Sequence, residues 1–238
     1  MFVNSMPLTT IQVLDRLQLA LEKRRPFSLV RIGDGENLVL AQNSVFPMDF
    51  VLKERWAIKA NRGQKGLQLP NLPLRDAVRD AVTKADVVGI LPHEDTSIIA
   101  PAYLKRQLTD QVFQVYGLKP KAVCDARINR EMLFTQQFWS VVTPWRIVLV
   151  TREPEPLKQA LTAPPYRLNI VHTLPFGDYS QMDTTLGWFK QNRDAFDLAL
   201  FSCGVNAVVL AQKTAELTGK AALDFGKAGN IVLKGTPN

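Results

Sequence analysis

Apolar positions along the chain fall into two alternating patterns. Ile11, Leu14, Leu17 and Leu21 recur at helical spacing after Thr9 and Thr10, which predicts a capped amphipathic helix to about Arg24, with Pro26 at its exit. Short apolar runs then recur at Phe27–Ile32, Val87–Leu91, Ala122–Cys124, Arg146–Val150, Leu168–His172, Asp197–Phe201 and Ala221–Phe225. Helical patterns separate them: Pro73 to Lys84, Ala102 to Tyr116, Arg130 to Trp139, Glu155 to Leu161, Gln181 to Arg193 and Val205 to Leu217. Several strand runs are continuously apolar and do not alternate, the pattern of strands buried on both faces. Strand and helix in alternation imply βαβ crossovers. The expected fold is therefore α/β, a mainly parallel sheet with helices on both faces. Residues 43 to 70 read as irregular, with one helix between Asp49 and Ala57. No repeat, low-complexity segment or linker interrupts the chain, so residues 1–238 are expected to form a single domain.

In open parallel sheets ligands bind beyond the carboxyl ends of the strands, so the turns after the strands carry the candidate chemistry. Gly33-Asp34-Gly35-Glu36 is expected to be a turn after the first strand, opening a short helix from about Asn37 to Gln42. In extended backbone, side chains at i and i+2 point the same way, so Asp34 and Glu36 could hold one hard divalent cation, Mg²⁺ or Mn²⁺. The glycines would permit positive φ and a close ligand approach. A plain helix cap explains the same residues, and on the residues alone both readings stand. Pro92-His93-Glu94-Asp95-Thr96 follows the second strand. Glu94 and Asp95 are candidate general bases there, against the alternative of solvated loop acids. Ser202-Cys203-Gly204-Val205-Asn206 opens a helix and suits a phosphate or ribose. It has neither Gly-x-Gly-x-x-Gly nor Gly-x-Ser-x-Gly, which counts against a dinucleotide site and a hydrolase elbow. Cys203 fits a small residue in a tight turn better than a nucleophile. His172, alone at a strand end, reads as a packing or hydrogen-bonding residue. Arg127 and Arg130 could clamp a diphosphate through forked hydrogen bonds, or make ion pairs at a helix start. The basic segment Asn61–Gly66 reads as a flexible surface loop, with a lid over an anion as the alternative.

Composition narrows the partners. No apolar run approaches the ~18 residues that span a bilayer, and residues 1–7 lack a signal-peptide pattern, so a cytoplasmic location is expected. Two cysteines do not make a disulfide framework. The formal net charge of +7 favours anionic partners. The basic residues are scattered, and the only tight cluster, Lys23-Arg24-Arg25, suits a helix C-terminus. No nucleic-acid signature accompanies it.

Ser28-Leu29-Val30-Arg31-Ile32-Gly33-Asp34-Gly35-Glu36 resembles the signature of the GT-D fold glycosyltransferases, a family first described as a domain of unknown function. Asp197–Gly204 with Ala207–Ala211 resembles that family's strand, glycine turn and helix, and Ala222–Gly226 its closing strand. The resemblance implies a Rossmann-like enzyme that transfers a sugar from a nucleotide-sugar donor, most simply a UDP-sugar, to a hydroxyl of a glycan or glycoprotein. It implies Mn²⁺ or Mg²⁺ on an Asp-x-Glu motif, Asp34 and Glu36. It further implies donor contacts from Arg31, Gly33, Gly35, Arg127, Asn129, Arg130, Gly204, Asn206 and Lys227. The chain departs from the family where a histidine commonly follows the closing glycine and Lys227 stands here. Val205-Asn206 also replaces the relatives' usual pair. The competing function is a non-catalytic nucleotide- or polyanion-binding module.

Overall fold

A computed structural model describes residues 6–236, so the signal-peptide expectation for the first residues lies largely outside it. Seven strands form the sheet: β1 (Phe27–Ile32), β2 (Val87–Ile90), β3 (Val123–Asp125), β4 (Arg146–Thr151), β5 (Asn169–Pro175), β6 (Leu198–Ser202) and β7 (Ala221–Asp224). Every pairing is parallel, in the order β3-β2-β1-β7-β6-β4-β5. The helices preceding β4 are α1 (Thr10–Glu22), α2 (Asp34–Ala41), α3 (Met48–Lys53), α4 (Arg55–Asn61), α5 (Leu72–Lys84), α6 (Arg106–Tyr116), α7 (Ile128–Glu131) and α8 (Gln136–Val142). After β4 come α9 (Pro154–Thr162), α10 (Met182–Gln191), α11 (Asn206–Thr218) and α12 (Ala228–Lys234). Among the described residues no helix is long and apolar enough to cross a membrane.

Successive strand residues feed two separate cores, as the pleat requires. Val30, Ile32, Val88, Val150 and Phe201 pack with Leu38, Val78, Leu108, Phe189 and Val208 on one face. Leu29, Val87, Leu149, Leu200 and Leu223 pack with Leu14, Leu17, Phe138 and Leu157 on the other. Both faces are covered, which is why these strands are apolar throughout. Thr9 caps α1: its Oγ1 accepts from Gln12 N at 3.2 Å, and Gln12 Oε1 accepts from Thr9 N at 2.9 Å.

Strands β1 to β3 step outward in one direction. The chain then crosses to build the other half and returns with β7 against β1. The carboxyl ends of β1 and β7 therefore flank the place where strand order reverses, the position that holds ligands in sheets of this kind.

Four expected elements differ. The helix expected from Asn37 begins at Asp34, because Gly33 is its N-cap and Glu36 folds back to bond it. The expected helix across 49–57 breaks at Glu54, where ψ is 136°, into α3 and α4. The helix expected from Ala102 is a short 3₁₀ turn followed by α6, and the 130–139 helix becomes α7, a 3₁₀ turn and α8. Helix α12 went unread because Gly226 and Lys227 look like a chain end after the last strand.

A surface ion pair ties α5 to α11. Lys84 Nζ lies 2.9 Å from Glu216 Oε1, and that hydrogen bond from Lys84 holds the Glu216 carboxyl down to about 2. A depressed carboxyl stabilises the fold above its ordinary pKa and loses that contribution as pH falls through its folded value. Lys84→Met is thus expected to melt a few degrees at most below wild type at pH 7, with the gap closing towards pH 2. Melting curves across that range check it, and a gap that widens on acidification contradicts it.

Candidate active site

The site is built where β1, β7 and α7 meet. Arg31 is the one charged residue in the β1 run. Its Nη2 donates to Asp224 Oδ1 at 2.8 Å, its Nε to the Asp224 carbonyl at 3.3 Å and its Nη1 to the Ala126 carbonyl at 3.4 Å. One guanidinium thus ties the ends of β1, β3 and β7 together. Asp224 is 1% exposed, and its Oδ2 has no hydrogen-bond partner. Burial pushes the Asp224 carboxyl up, with Arg31 holding part of that shift back.

Gly226 follows in a left-handed conformation, φ 47°, with the Arg31 guanidinium pressed against the position a Cβ would take. Gly226→Ala meets both obstacles. The backbone strain alone costs about 1–2 kcal/mol, and the displaced arginine leaves Asp224 unpaired. The expected result is a melting temperature lower by several degrees; an unchanged one contradicts the packing described.

Asp34 and Glu36 occupy the first turn of α2. This corrects the expectation of an extended turn with parallel side chains: the pair sits at i and i+2 of a helix, on different sides of its axis. Glu36 is brought back to the helix start by its bond to Gly33 N, 2.9 Å from Oε2. The glycines also act otherwise than expected, since neither Gly33 nor Gly35 has positive φ. Gly35 is small because the Trp56 ring lies where its Cβ would be, 2.6 Å from Cζ2. Burial, and then the charges of Asp224 and Asp34, push the Glu36 carboxyl up to about 7 against the pull of Arg31.

Cations lie within electrostatic range of these carboxylates. Lys227 is held below its ordinary range by burial and then by Arg130, Lys65 and Arg31, with Asp34 pulling the other way. Arg130 is likewise lowered, by burial and then by Arg31; its Nη1 donates to the Ser97 carbonyl at 3.3 Å. Lys65 stands 6.0 Å from the Trp56 ring centroid. Lys227 therefore lies within electrostatic range of Lys65, Arg130, Arg31 and Asp34.

The remaining candidates divide. Arg127 folds onto its neighbour: its backbone N–H donates to Asp125 Oδ1 at 2.8 Å and its guanidinium pairs with the same carboxylate. Arg127 is thus held by Asp125 and does not form a clamp with Arg130. Asn129 is fully buried, donating to the Phe225 carbonyl at 3.0 Å and leaving Oδ1 unpartnered. Asn206, also fully buried, donates to the Gly66 carbonyl at 2.9 Å, and its Oδ1 is unpartnered too. Gly204 takes the left-handed conformation, φ 58°, beside the Lys65 carbonyl. The 61–66 loop is consequently anchored and not the free loop expected. Gly66 is held by Asn206 and Tyr179 N, and the Gly63 carbonyl by Arg152 at 3.2 Å. Asn206 and Trp56 show what the sequence hides: their partners are a loop about 140 residues away and a glycine that reads as a turn residue.

The loop after β2 packs across the end of β1, with Ile98 beside Gly33. Asp95 organises it. Its carboxylate accepts from Ser97 N, Ser97 Oγ and Ile98 N and pairs with Lys105 at 3.3 Å. Burial works to raise this carboxyl, and those hydrogen bonds outweigh it and hold it below its ordinary range. Glu94, next to it, is exposed and takes no partner among the described residues. Cys203 is buried, donates to the Val150 carbonyl at 3.3 Å and is raised by burial, so it has no nucleophilic character. His172 stacks on Trp188 at 4.6 Å between ring centroids, a packing residue as expected.

Among the described residues no group of three or more His, Cys, Asp or Glu side chains is placed around one point. A metal here would have two carboxylate ligands, with solvent and ligand oxygens completing its shell. Among the described residues the Asp34 carboxylate takes no hydrogen bond, and Glu36 keeps Oε1 uncommitted. These donors are hard oxygens of the kind Mg²⁺ or Mn²⁺ takes, and the bond to Gly33 N folds Glu36 back to the end of α2 that carries Asp34, so the residues fit such an ion.

The model of the GT-D-like family, described as a GT-D fold-like domain, matches residues 8–232. The chain belongs to that family. Its fold is shared by a solved structure described as a new glycosyltransferase (DUF1792) from Streptococcus sanguinis. The TM-score is 0.65 at 16% identity, over 98% of this chain and 87% of that one. A second, described as a highly conserved domain of unknown function 1792 with a distinct glycosyltransferase fold, gives 0.58 at 15% identity, over 96% and 87%. No curated protein matches the chain.

Proposed function

We propose that the protein is a glycosyltransferase that takes a nucleotide-sugar donor, with a UDP-sugar as the first candidate, and passes the sugar to a hydroxyl acceptor. The observation that carries this reading is the clustering of opposite charges within electrostatic range of one another beside the sheet's switch point. Two carboxylates lie in the first turn of α2, and Lys65, Arg130 and Lys227 come within that range from three separate segments. Carboxylates alone repel a diphosphate and cations alone would bind any anion. The combination suits a diphosphate that arrives with a divalent metal.

Asp34 and Glu36 would hold Mn²⁺ or Mg²⁺. When bound, that ion neutralises the negative charge that gathers on a departing nucleoside diphosphate. The other roles belong to the chain. Lys227, Lys65 and Arg130 offer point charges and forked donors to phosphate oxygens. The helix start at Gly33 and the left-handed turn at Gly204 bring backbone close to the ligand. Asn129 and Asn206 are fully buried and donate to the Phe225 and Gly66 carbonyls, so they position the turns around the donor. Arg31 is committed to Asp224, so it shapes the site more than it grips the donor. Glu94, exposed and unpartnered, is the candidate base for the acceptor hydroxyl, and Asp95 fixes the loop that carries it.

A screen of UDP-, GDP- and TDP-sugars with Mn²⁺, read as release of free sugar, tests the reading. Slow hydrolysis of at least one donor supports it. Binding without turnover favours the non-catalytic polyanion module instead.

A further inference from the structure

Away from the cationic cluster, an open groove of about 390 Å³ is lined by Phe46, Phe50, Tyr103, Gln107 and Gln111. Phe50 and Tyr103 are 38% and 41% exposed, unusual for large aromatic rings. Phe46 and Phe50 lie 4.6 Å apart, Phe50 and Tyr103 6.4 Å. The Tyr103 ring is held in place by its hydroxyl, which donates to Glu54 Oε1 at 2.8 Å. Gln107 and Gln111 stand one turn apart on α6, both exposed, and neither carboxamide has a protein partner among the described residues.

From this lining we infer that the groove is the acceptor subsite and that its occupant is a neutral glycan. The inference rests on the glycosyltransferase reading and deepens it. A sugar ring has apolar C–H faces that pack on aromatic rings, and hydroxyls that both donate and accept. Carboxamides answer hydroxyls in both senses. A purely apolar partner would leave Gln107 and Gln111 unpaired, at a desolvation cost. An anionic ligand finds no cation among the lining residues, while Lys65, Arg130 and Lys227 wait at the strand ends.

The elements that form the groove are tied to those of the donor region. Asn37, next to Glu36, donates to the carbonyls of Leu104 and Lys105, the residues directly after Tyr103. Glu54, which fixes Tyr103, is the N-cap of α4, and α4 carries the Trp56 that packs on Gly35. Tyr103 at the groove and the first turn of α2 are thus linked through two short contacts, at Asn37 and at Glu54 with Trp56.

The test is an array of neutral and acidic glycans, probed with wild type, Phe50→Ala and Gln107→Ala. Wild-type melting with UDP and Mn²⁺ is recorded in parallel. Expected is retention of at least one neutral glycan, weakened tenfold or more in both variants, whose own melting temperatures match wild type. Gln107→Ala, a change on an exposed helix face, keeps the test open if Phe50→Ala folds poorly. No neutral glycan retained, retention of acidic glycans alone, or retention by both variants equal to that of wild type overturns the assignment. Concentration-dependent self-association abolished by Phe50→Ala also overturns it, since the groove then meets a second copy. A UDP response without glycan retention removes the groove alone. Glycan retention without a UDP response removes the donor reading.

Discussion

Glu36→Gln is expected to lower donor turnover by about a hundredfold or more, the scale on which charge stabilisation at a reacting centre acts, while leaving the fold intact. The substitution separates two roles of this side chain. A glutamine oxygen can still accept from Gly33 N, so the start of α2 keeps its cap. What disappears is the negative charge that a divalent cation needs. Removing a charge buried beside Asp224 and Asp34 also relieves the crowding that pushes this carboxyl up. The metal-free variant should therefore melt at or above the wild-type temperature. Turnover assays and melting curves on the same preparation check both halves. Unchanged turnover would reduce Glu36 to a helix cap.

Asp224→Ala is expected to be the most destabilising substitution at the site. Arg31 has 19% of its side chain exposed and Asp224 1%, so the pair is largely out of water. Removing one partner of such a pair costs about 3–5 kcal/mol, because the other charge is left buried. For a chain of this size that is a fall in melting temperature on the order of 10 °C. Asp224→Asn retains an acceptor for Arg31 and should fall less. A loss under about 1 kcal/mol would mean that the guanidinium escapes to solvent, at odds with a pair this far from water.

The sheet was legible because burial on both faces leaves little choice of residue. Val87–Ile90 and Leu198–Ser202 cannot carry charge, so their runs stand out, and the helices between them announce parallel crossovers. Residues 43–70 were less legible. There α3 and α4 are short, and their boundaries depend on tertiary partners such as Trp56 against Gly35. At the site, the carboxylates were visible as a motif, but their geometry was not. Asp34 starts a helix because Glu36 supplies the cap, a reciprocal contact that an extended-turn reading misses. The cations were legible only in part: the family resemblance pointed to Arg130 and Lys227, while Lys65 lay in a segment read as a surface loop. Lys65, Arg130 and Lys227 come from distant segments, and only the strand order brings them together. Arg127 looked equivalent to Arg130 on spacing. Asp125, two residues before it, captures it.

The central claim is that Asp34 and Glu36 present a divalent cation to a donor diphosphate held by the neighbouring cations. The most direct measurement is the wild-type melting temperature with UDP, taken with Mn²⁺, with Mg²⁺ and with a chelator. The account predicts a rise with UDP of several degrees that requires one of the two ions and vanishes with the chelator. A rise of equal size without metal, or none under any condition, would contradict it.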